Sequence, residues 1–333
     1  MTGATFVTGG SGVVGRAVVE RLVAEGRRVV ALARSRPSAE ALERLGARPV
    51  AGDVLDPGAL EAGMRGCEVV YHIAGANELC AERASWLYRL NITGTLNSVR
   101  AARRAGARRI VYTSSAAALG EPAGTVGDER TRHRGWFLSH YEHSKHEAEK
   151  TAFSAGAAAG VEVVSVNPSS VQGPGRAGGT TLILRAYLAG KLRFFVDATM
   201  SLVDVRDCAE GHLRAELRGA PGERYVLSGA TLDLRRALDI MAPLARCQRA
   251  PLLLPPSVAL AAAGGAEVWG RLRGRPFPVC RELVRTLLHG HAYDGSRATR
   301  ELGLAYTPVE ETLTSAVRWL ADQGLVPPPP RPP

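Results

Sequence analysis

The sequence predicts an α/β protein, a doubly wound parallel sheet with a smaller C-terminal portion beside it. Three observations carry this expectation. Short β-branched runs alternate with longer helical patterns through the first half of the 333 residues. The runs are apolar almost throughout, as strands covered on both faces must be. A glycine-rich turn joins the first run to the first helix.

Taken in order, "ATFVT" (4–8), "RVVALA" (28–33), "RPVAG" (48–52), "EVVYHIA" (68–74), "RRIVYTS" (108–114) and "VEVVSVN" (161–167) read as strands. Segments 13–25, 38–45, 57–65, 83–105 and 141–159 read as the helices between them. After residue 168 the alternation breaks, and proline and glycine punctuate "NPSSVQGPGRAGG". "ERYVLSG" (223–229) reads as one more strand that returns to the main sheet. The expected division is 1–170 for the main domain, with a return at 204–229, and 171–203 with 230–326 for the second portion. The tail "PPPPRPP" (327–333) cannot build a core and is expected to be extended and mobile.

With 45% hydrophobic residues the chain can bury a substantial core. Its net charge of +10 comes mostly from arginine. The clusters Arg103/Arg104/Arg108/Arg109, Arg130/Arg132/Arg134 and Arg271/Arg273/Arg275 are far apart, and only 5% of residues are aromatic. That argues for a solvated basic surface and against a nucleic-acid platform. No signal-peptide pattern opens the chain. The longest uncharged apolar run, "APLLLPPSVALAAAGGA" (250–266), is short for a bilayer span and carries three prolines. It reads as soluble core, with a lid or interfacial segment that meets an apolar substrate as the alternative. Cys67, Cys80, Cys208, Cys247 and Cys280 are scattered and form no CxxC pair. They suggest a reducing cytoplasm, without a disulfide framework or zinc site.

In "TFVTGGSGVVGRAVVERL", Gly9, Gly12 and Gly15 form a G-x-x-G-x-x-G turn between strand and helix. Gly9 would allow the tight turn, Gly12 the close approach of a pyrophosphate, and Gly15 tight packing of helix on sheet. Val13 and Val14 open the helix whose amino end would face the anion. The second strand ends in "ALARSRP", with Arg34 and Arg36 where a ribose-binding carboxylate would favour NAD. Arginine can pair with a 2′-phosphate, so NADP(H) is preferred and NAD(H) stays open. Asp53, followed by Val54, could accept from the adenine amino group or merely shape its own turn.

Together "TGGSGVVG", "VYTSSAAALG", "HYEHSK" and "NPSSVQGPG" make the sequence resemble the extended short-chain dehydrogenase/reductase superfamily from about residue 4 to 324. Within it, "VNPSSVQGPG", "SLVDVRDCAEGHLRA", "GERYVLSG" and "YDGSRATRELGL" look like the dihydroflavonol-4-reductase-like branch, especially bacterial hopanoid-associated sugar epimerases. The resemblance implies a Rossmann sheet of order 3-2-1-4-5-6, one added strand and a smaller C-terminal substrate-binding domain. It implies that Tyr141 and Lys145 are the catalytic YxxxK pair and that Ser115 holds the substrate oxygen. Asn91 matches a helix asparagine of the family. Ala74, Gly75 and Thr113 fall along the cofactor, and Pro168 to Ser170 border the nicotinamide. Arg206 stands where the family usually has an acid before Asp207. The helices at 83–105 and 139–159 would form the interface of a homodimer.

The tyrosine chemistry is sensible on its own terms. Tyr141 and Lys145 are one helical turn apart on one face. A free tyrosine ionises near pH ~10, so work near neutrality requires lowering this by about 3, or ~4 kcal/mol. A neighbouring ammonium and a positive nicotinamide would both help. His140, His143 and His146 spread too far around a helix to share a metal, and no metal is expected. Three readings follow: a reductase acting on a carbonyl/alcohol substrate with an apolar portion, a nucleotide-sugar epimerase that keeps NAD, and a non-catalytic dinucleotide sensor. The first is preferred because Ser115, Tyr141 and Lys145 are intact, and the run 250–266 and Trp136-Phe137 suggest an apolar substrate.

Overall fold

The computed structural model describes residues 3–81, 83–245, 250–274 and 279–330. The chain begins β1 (Ala4–Thr8), α1 (Val13–Ala24), β2 (Val29–Ala33), α2 (Arg36–Arg44), β3 (Arg48–Ala51), α3 (Pro57–Met64) and β4 (Cys67–His72). It continues through α4 (Ala84–Tyr88), a π-helical turn (Arg89–Thr93), α5 (Gly94–Ala105), β5 (Arg109–Thr113), a 3-10 turn (Ala116–Leu119), β6 (Val126–Gly127), α6 (His140–Ala159) and β7 (Glu162–Pro168). Then follow β8 (Ser170–Gln172), α7 (Thr181–Leu188), β9 (Phe194–Phe195), β10 (Thr199–Asp204), α8 (Val205–Arg218), β11 (Arg224–Leu227), β12 (Ala230–Asp233) and α9 (Leu234–Met241). The last elements are β13 (Leu252–Leu253), α10 (Pro256–Leu272), α11 (Arg281–His289), β14 (Ala292–Tyr293) and α12 (Val309–Asp322).

Seven strands form the main sheet in the order β11-β7-β5-β4-β1-β2-β3, every neighbouring pair parallel. The predicted order and the returning seventh strand are both present. Continuous apolar strands mean two covered faces, and β1 shows how. Phe6 belongs to one core layer with Leu60, Val99, Ile110 and Ala148, while Val7 belongs to the other with Val19, Leu22 and Leu213. All are buried. At roughly 2 kcal/mol for each fully buried aliphatic or aromatic side chain, this double layer is the main source of stability.

The predicted helix 83–105 is present without a gap from Ala84 to Ala105, but it is not α-helical throughout. A π-turn stands at Asn91, and such bulges frequently sit at functional positions. The C-terminal portion has its own sheet, β12-β10-β8, and a core of Leu184, Leu188, Leu232, Met241, Leu313 and Leu320. The run 250–266 becomes β13 and most of α10, only partly buried. No helix among the described residues is long and apolar enough to cross a membrane. Residues 327–330 lie outside any helix or strand, and 331–333, like Arg275, lie outside the described residues.

The cysteine expectation is overturned. Cys80, in the loop after β4, is disulfide-bonded to Cys280, the cap residue of α11, across 200 residues of sequence. Spacing could not reveal a pair that only the docking of the C-terminal portion brings together. Cys67 and Cys208 are free and buried, and Cys247 lies outside the described residues. With a disulfide present, the cysteines no longer point to a reducing compartment. A bridge closing so long a loop restricts the unfolded chain, so Cys280→Ser is expected to cost about 2–4 kcal/mol. Thermal melting with and without reductant checks this. Equal melting temperatures for both proteins under both conditions would contradict the bridge.

Candidate functional site

The site forms where the carboxyl ends of β1, β4, β5 and β7 meet the amino ends of α1 and α6. At the first of these ends Gly9 has φ +70, and a Cβ there would lie 2.6 Å from the backbone nitrogen of Ala74. At Gly15 a Cβ would come within 2.1 Å of the Gly9 carbonyl oxygen. Both glycines are therefore demanded by contact, as the motif predicts. Gly12 is exposed and caps α1 without a side chain, and the helix's first turn carries no acidic residue. Its N–H groups, with Val13 and Val14 packed behind them on the core, are fitted to receive a pyrophosphate.

Arg34 and Arg36 are both exposed at the end of β2. Arg36 is held by Glu40 at 2.8 Å, whereas Arg34 makes no ion pair among the described residues, so Arg34 is the better placed for a 2′-phosphate. Asp53 shapes its own turn, its Oδ1 accepting from the Leu55 backbone at 2.9 Å. Val54 is buried in the core, and its carbonyl accepts from Asn97.

The catalytic candidates converge. Ser139 caps α6 by accepting from the Glu142 backbone at 3.1 Å, which places Tyr141 in the first helical turn. The carboxylate of Glu142 accepts from Leu138 and is paired with buried Arg134. Tyr141 faces the Ser115 hydroxyl just beyond the end of β5, near enough for that hydroxyl to lower the phenol. Lys145 donates to the Thr113 carbonyl at 2.7 Å, and its Nζ would be 3.6 Å from a Cβ at Gly75. Asn91, in the π-turn, accepts from the Ala76 backbone at 2.8 Å and donates to Ser144 at 2.8 Å. It thereby pins the backbone after β4 to the helix that carries Tyr141 and Lys145.

The electrostatics depart from the sequence expectation. Burial raises the phenol of Tyr141, while the Ser115 hydroxyl and the positive field of Arg176 act in the opposite direction. The Lys145 ammonium is turned to the Thr113 carbonyl, and Arg176 is the cation whose field lowers the phenol. Burial brings Lys145 down to about 8, with Glu149 opposing. Arg176 was missed in the sequence. It lies in the "GPGRAGG" loop, and its buried Nε has no partner among the described residues. Burial lowers its guanidinium, and Tyr141 and Cys208 oppose that.

A buried network also escaped sequence reading. Glu149, one turn beyond Lys145, accepts from Asn167 and Ser165 on β7 and is paired with Arg224. Asn167 also donates to the Ser115 carbonyl at 3.2 Å. Helix α6 is thus fixed to β7 and to the end of β5. Pro168 ends β7, and the Ser170 hydroxyl is engaged with Thr180 at 2.8 Å. Thr113 Oγ1 meets His212 at 2.8 Å. Asp204 pairs with Arg206, and Asp207 binds Thr307, so that divergent loop is tied to structural duties.

The three helix histidines do not converge. His140 and His143 each face the Tyr88 hydroxyl at 3.0 Å, and His146 meets the Ala118 carbonyl at 2.9 Å. Phe137 stacks on His143, with ring centres 4.0 Å apart, while Trp136 is exposed under Arg134. A second cluster, unseen in the sequence, joins Glu121 to His291 at 2.6 Å and sets His289 beside them. Arg134 donates to the Glu121 carbonyl and supplies a positive charge there.

Comparison with known proteins agrees with this geometry. Residues 5–228 match the model of the NAD dependent epimerase/dehydratase family. A candidate dihydroflavonol 4-reductase from Synechocystis sp. is 33% identical, with 96% of this chain and 95% of the relative covered. A 4-hydroxy-2-methyl-3-oxo-4-farnesyl-3,4-dihydroquinoline-1-oxide ketoreductase from Stigmatella aurantiaca is 32% identical over 97% of this chain and 98% of its own. The crystal structure of gox2253 superposes with a TM-score of 0.85 at 29% identity, covering 97% of this chain and 99% of that one. The glycine turn, the Ser115–Tyr141–Lys145 grouping and these likenesses agree: the chain belongs to the NAD-dependent epimerase/dehydratase family of extended short-chain dehydrogenases/reductases.

Proposed function

We propose that the protein reduces a ketone to a secondary alcohol with NADPH, and that the ketone carries an apolar portion. The observation that carries this is the approach of Tyr141 to Ser115, set beside Lys145 and the Gly75 backbone. The likeness to a ketoreductase acting on a farnesylated compound supports the apolar portion. Gly9, Gly12, Gly15 and the open amino end of α1 would hold the pyrophosphate, and Lys145 the nicotinamide ribose. Bound NADPH supplies hydride to the carbonyl carbon. Ser115 holds the carbonyl oxygen in place, and Tyr141 gives it a proton, so that the ketone leaves as an alcohol and Tyr141 as a phenolate. A positive Arg176 and a charged Lys145 both favour that phenolate.

Cofactor choice rests on Arg34. Arg34→Ala is expected to weaken NADPH binding about tenfold or more and leave NADH nearly unchanged, in line with a lost charge-assisted pair. Equal weakening of the two, measured by fluorescence titration, would remove Arg34 from the 2′-phosphate.

Arg176 implies that the substrate bears an anionic group near its carbonyl, because a guanidinium beside the phenol calls for a partner. Arg176→Gln should raise KM for a 3-oxo carboxylate about tenfold or more, with a much smaller change for its methyl ester. The same rise for acid and ester would contradict this role. An epimerase would instead need a diphosphate site. Arginines that could bind one, Arg271 and Arg273, lie exposed at the end of α10, with Arg273 stacked over Trp269 at 4.2 Å, and Arg275 lies outside the described residues. A homodimer through α5 and α6, which pack side by side, belongs to the same proposal.

A further inference from the structure

Helix α10 is apolar on both of its faces, and only one of them is covered. Ala259 and Ala263 are buried against Val196, Ala198 and Val284. On the other side stand Val258, Ala261, Gly265, Val268, Trp269 and Leu272. At 100° per residue these six fall within about 100° of arc, a single stripe along the whole helix. They are exposed: Leu272 79%, Trp269 52%, Val268 51% and Val258 49%. Leu260 and Arg281 flank the stripe, which lines an open groove of about 580 Å³. Further exposed apolar side chains stand on β9 and β13, where Leu252 (64%) pairs with Phe194 (56%). An exposed apolar stripe of this kind marks an interaction site.

Its margins are basic. Exposed Arg271 and Arg273 close the helix, and exposed Arg285 stands one turn beyond Arg281 on α11. Exposed Lys191 and Arg193 precede β9, with Asp197 the exposed acid on that side. Arg281 is offset by Glu267, which it meets at 3.4 Å. Exposed leucine, tryptophan and phenylalanine rimmed by arginine and lysine is the composition of an interfacial helix. The same rim disfavours a symmetric pairing of two copies through this face, because it would set arginine against arginine. We propose that the α10 stripe, with β9 and β13, docks this protein onto an anionic lipid bilayer surface, the helix lying in the interface without crossing it.

The location gives such docking a use. Helix α11 packs on α10, its cap residue Cys280 is bridged to the loop after β4, and its Glu282 accepts from the His140 backbone at 3.0 Å. His140 is the neighbour of Tyr141. A docked α10 would therefore hold the mouth of the site close to the lipid. Only this purpose rests on the proposed reduction of an apolar ketone; docking itself does not.

The test is co-sedimentation of the full chain with vesicles of phosphatidylcholine containing about 30% phosphatidylglycerol, and with pure phosphatidylcholine. The protein should pellet with the anionic vesicles, be released by high salt, and bind the neutral ones about tenfold or more weakly. The double variant Trp269→Asp/Leu272→Asp, with melting temperature and circular dichroism unchanged, should lose about tenfold or more in vesicle affinity while keeping its turnover of a water-soluble ketone. Arg271→Glu/Arg273→Glu should lose the preference for anionic lipid. Failure to bind either vesicle, or equal binding by the Asp variant, would overturn the proposal. So would a change in mass by light scattering in the Asp variant without any change in lipid binding, which would assign the stripe to a second copy. Because sedimentation does not depend on turnover, failure of the reductase reading would leave this outcome readable.

Discussion

Tyr141→Phe is expected to lower ketone reduction by about a thousandfold while NADPH binds nearly as before. Removing a positioned acid from a proton transfer typically costs between about a hundredfold and ten-thousandfold. Only the hydroxyl changes, and the phenylalanine ring can keep its place in the first turn of α6 beside Ser115. The measurement is turnover at saturating substrate together with a titration of the dinucleotide. Turnover within a few fold of wild type would remove Tyr141 from the chemistry, whatever the spacing of "HYEHSK" suggests.

Lys145→Met is expected to move activity and stability in opposite directions. Turnover should fall by about a hundredfold or more, because the phenolate loses a charge and the ribose a donor. The cofactor-free protein should nevertheless be more stable at pH 7. Burial depresses Lys145 to about 8, below the 10.5 of a free lysine. The unfolded chain therefore holds this proton more firmly than the native one, and stability rises with pH between those values. Below about 8 the native state carries the full cost of a buried charge, on the order of 3 kcal/mol. Losing the 2.7 Å bond to Thr113 returns about 1 kcal/mol of that. A net gain of roughly 2 kcal/mol at pH 7, fading towards pH 10.5, is expected, a trade of stability for function. Melting curves at both pH values check the sign. A variant less stable at pH 7 would mean that Lys145 is held there by favourable interactions stronger than its burial cost.

The main sheet was legible in the sequence because burial on both faces leaves little room for polar residues, so each strand stands out as an apolar run. Gly9 and Gly15 were legible for a related reason: contact with the Ala74 backbone and the Gly9 carbonyl excludes any side chain. Where a strand is short and half exposed, as in β9 or β13, no such pattern exists. The π-turn at Asn91 leaves the periodicity of a helix almost undisturbed, so 83–105 looked like plain α-helix. The Cys80–Cys280 bridge and the Glu121–His289–His291 cluster join segments far apart in the chain, and only docking of the two portions brings them together. Glu149 and Arg176 were invisible for a different reason. A charged residue on a helix or in a glycine loop ordinarily faces water, and nothing local marks these two as turned inward towards Asn167 and Tyr141.

Reversible use of NADPH can be tested without a substrate. Freshly purified protein would be denatured and the released dinucleotide identified and counted, while a parallel native sample is titrated with NADPH and NADH. A reductase should emerge with little bound dinucleotide and take NADPH reversibly, more tightly than NADH. Near-stoichiometric NAD carried through purification would contradict the account, and would point to an enzyme that keeps its cofactor through a closed cycle of oxidation and reduction.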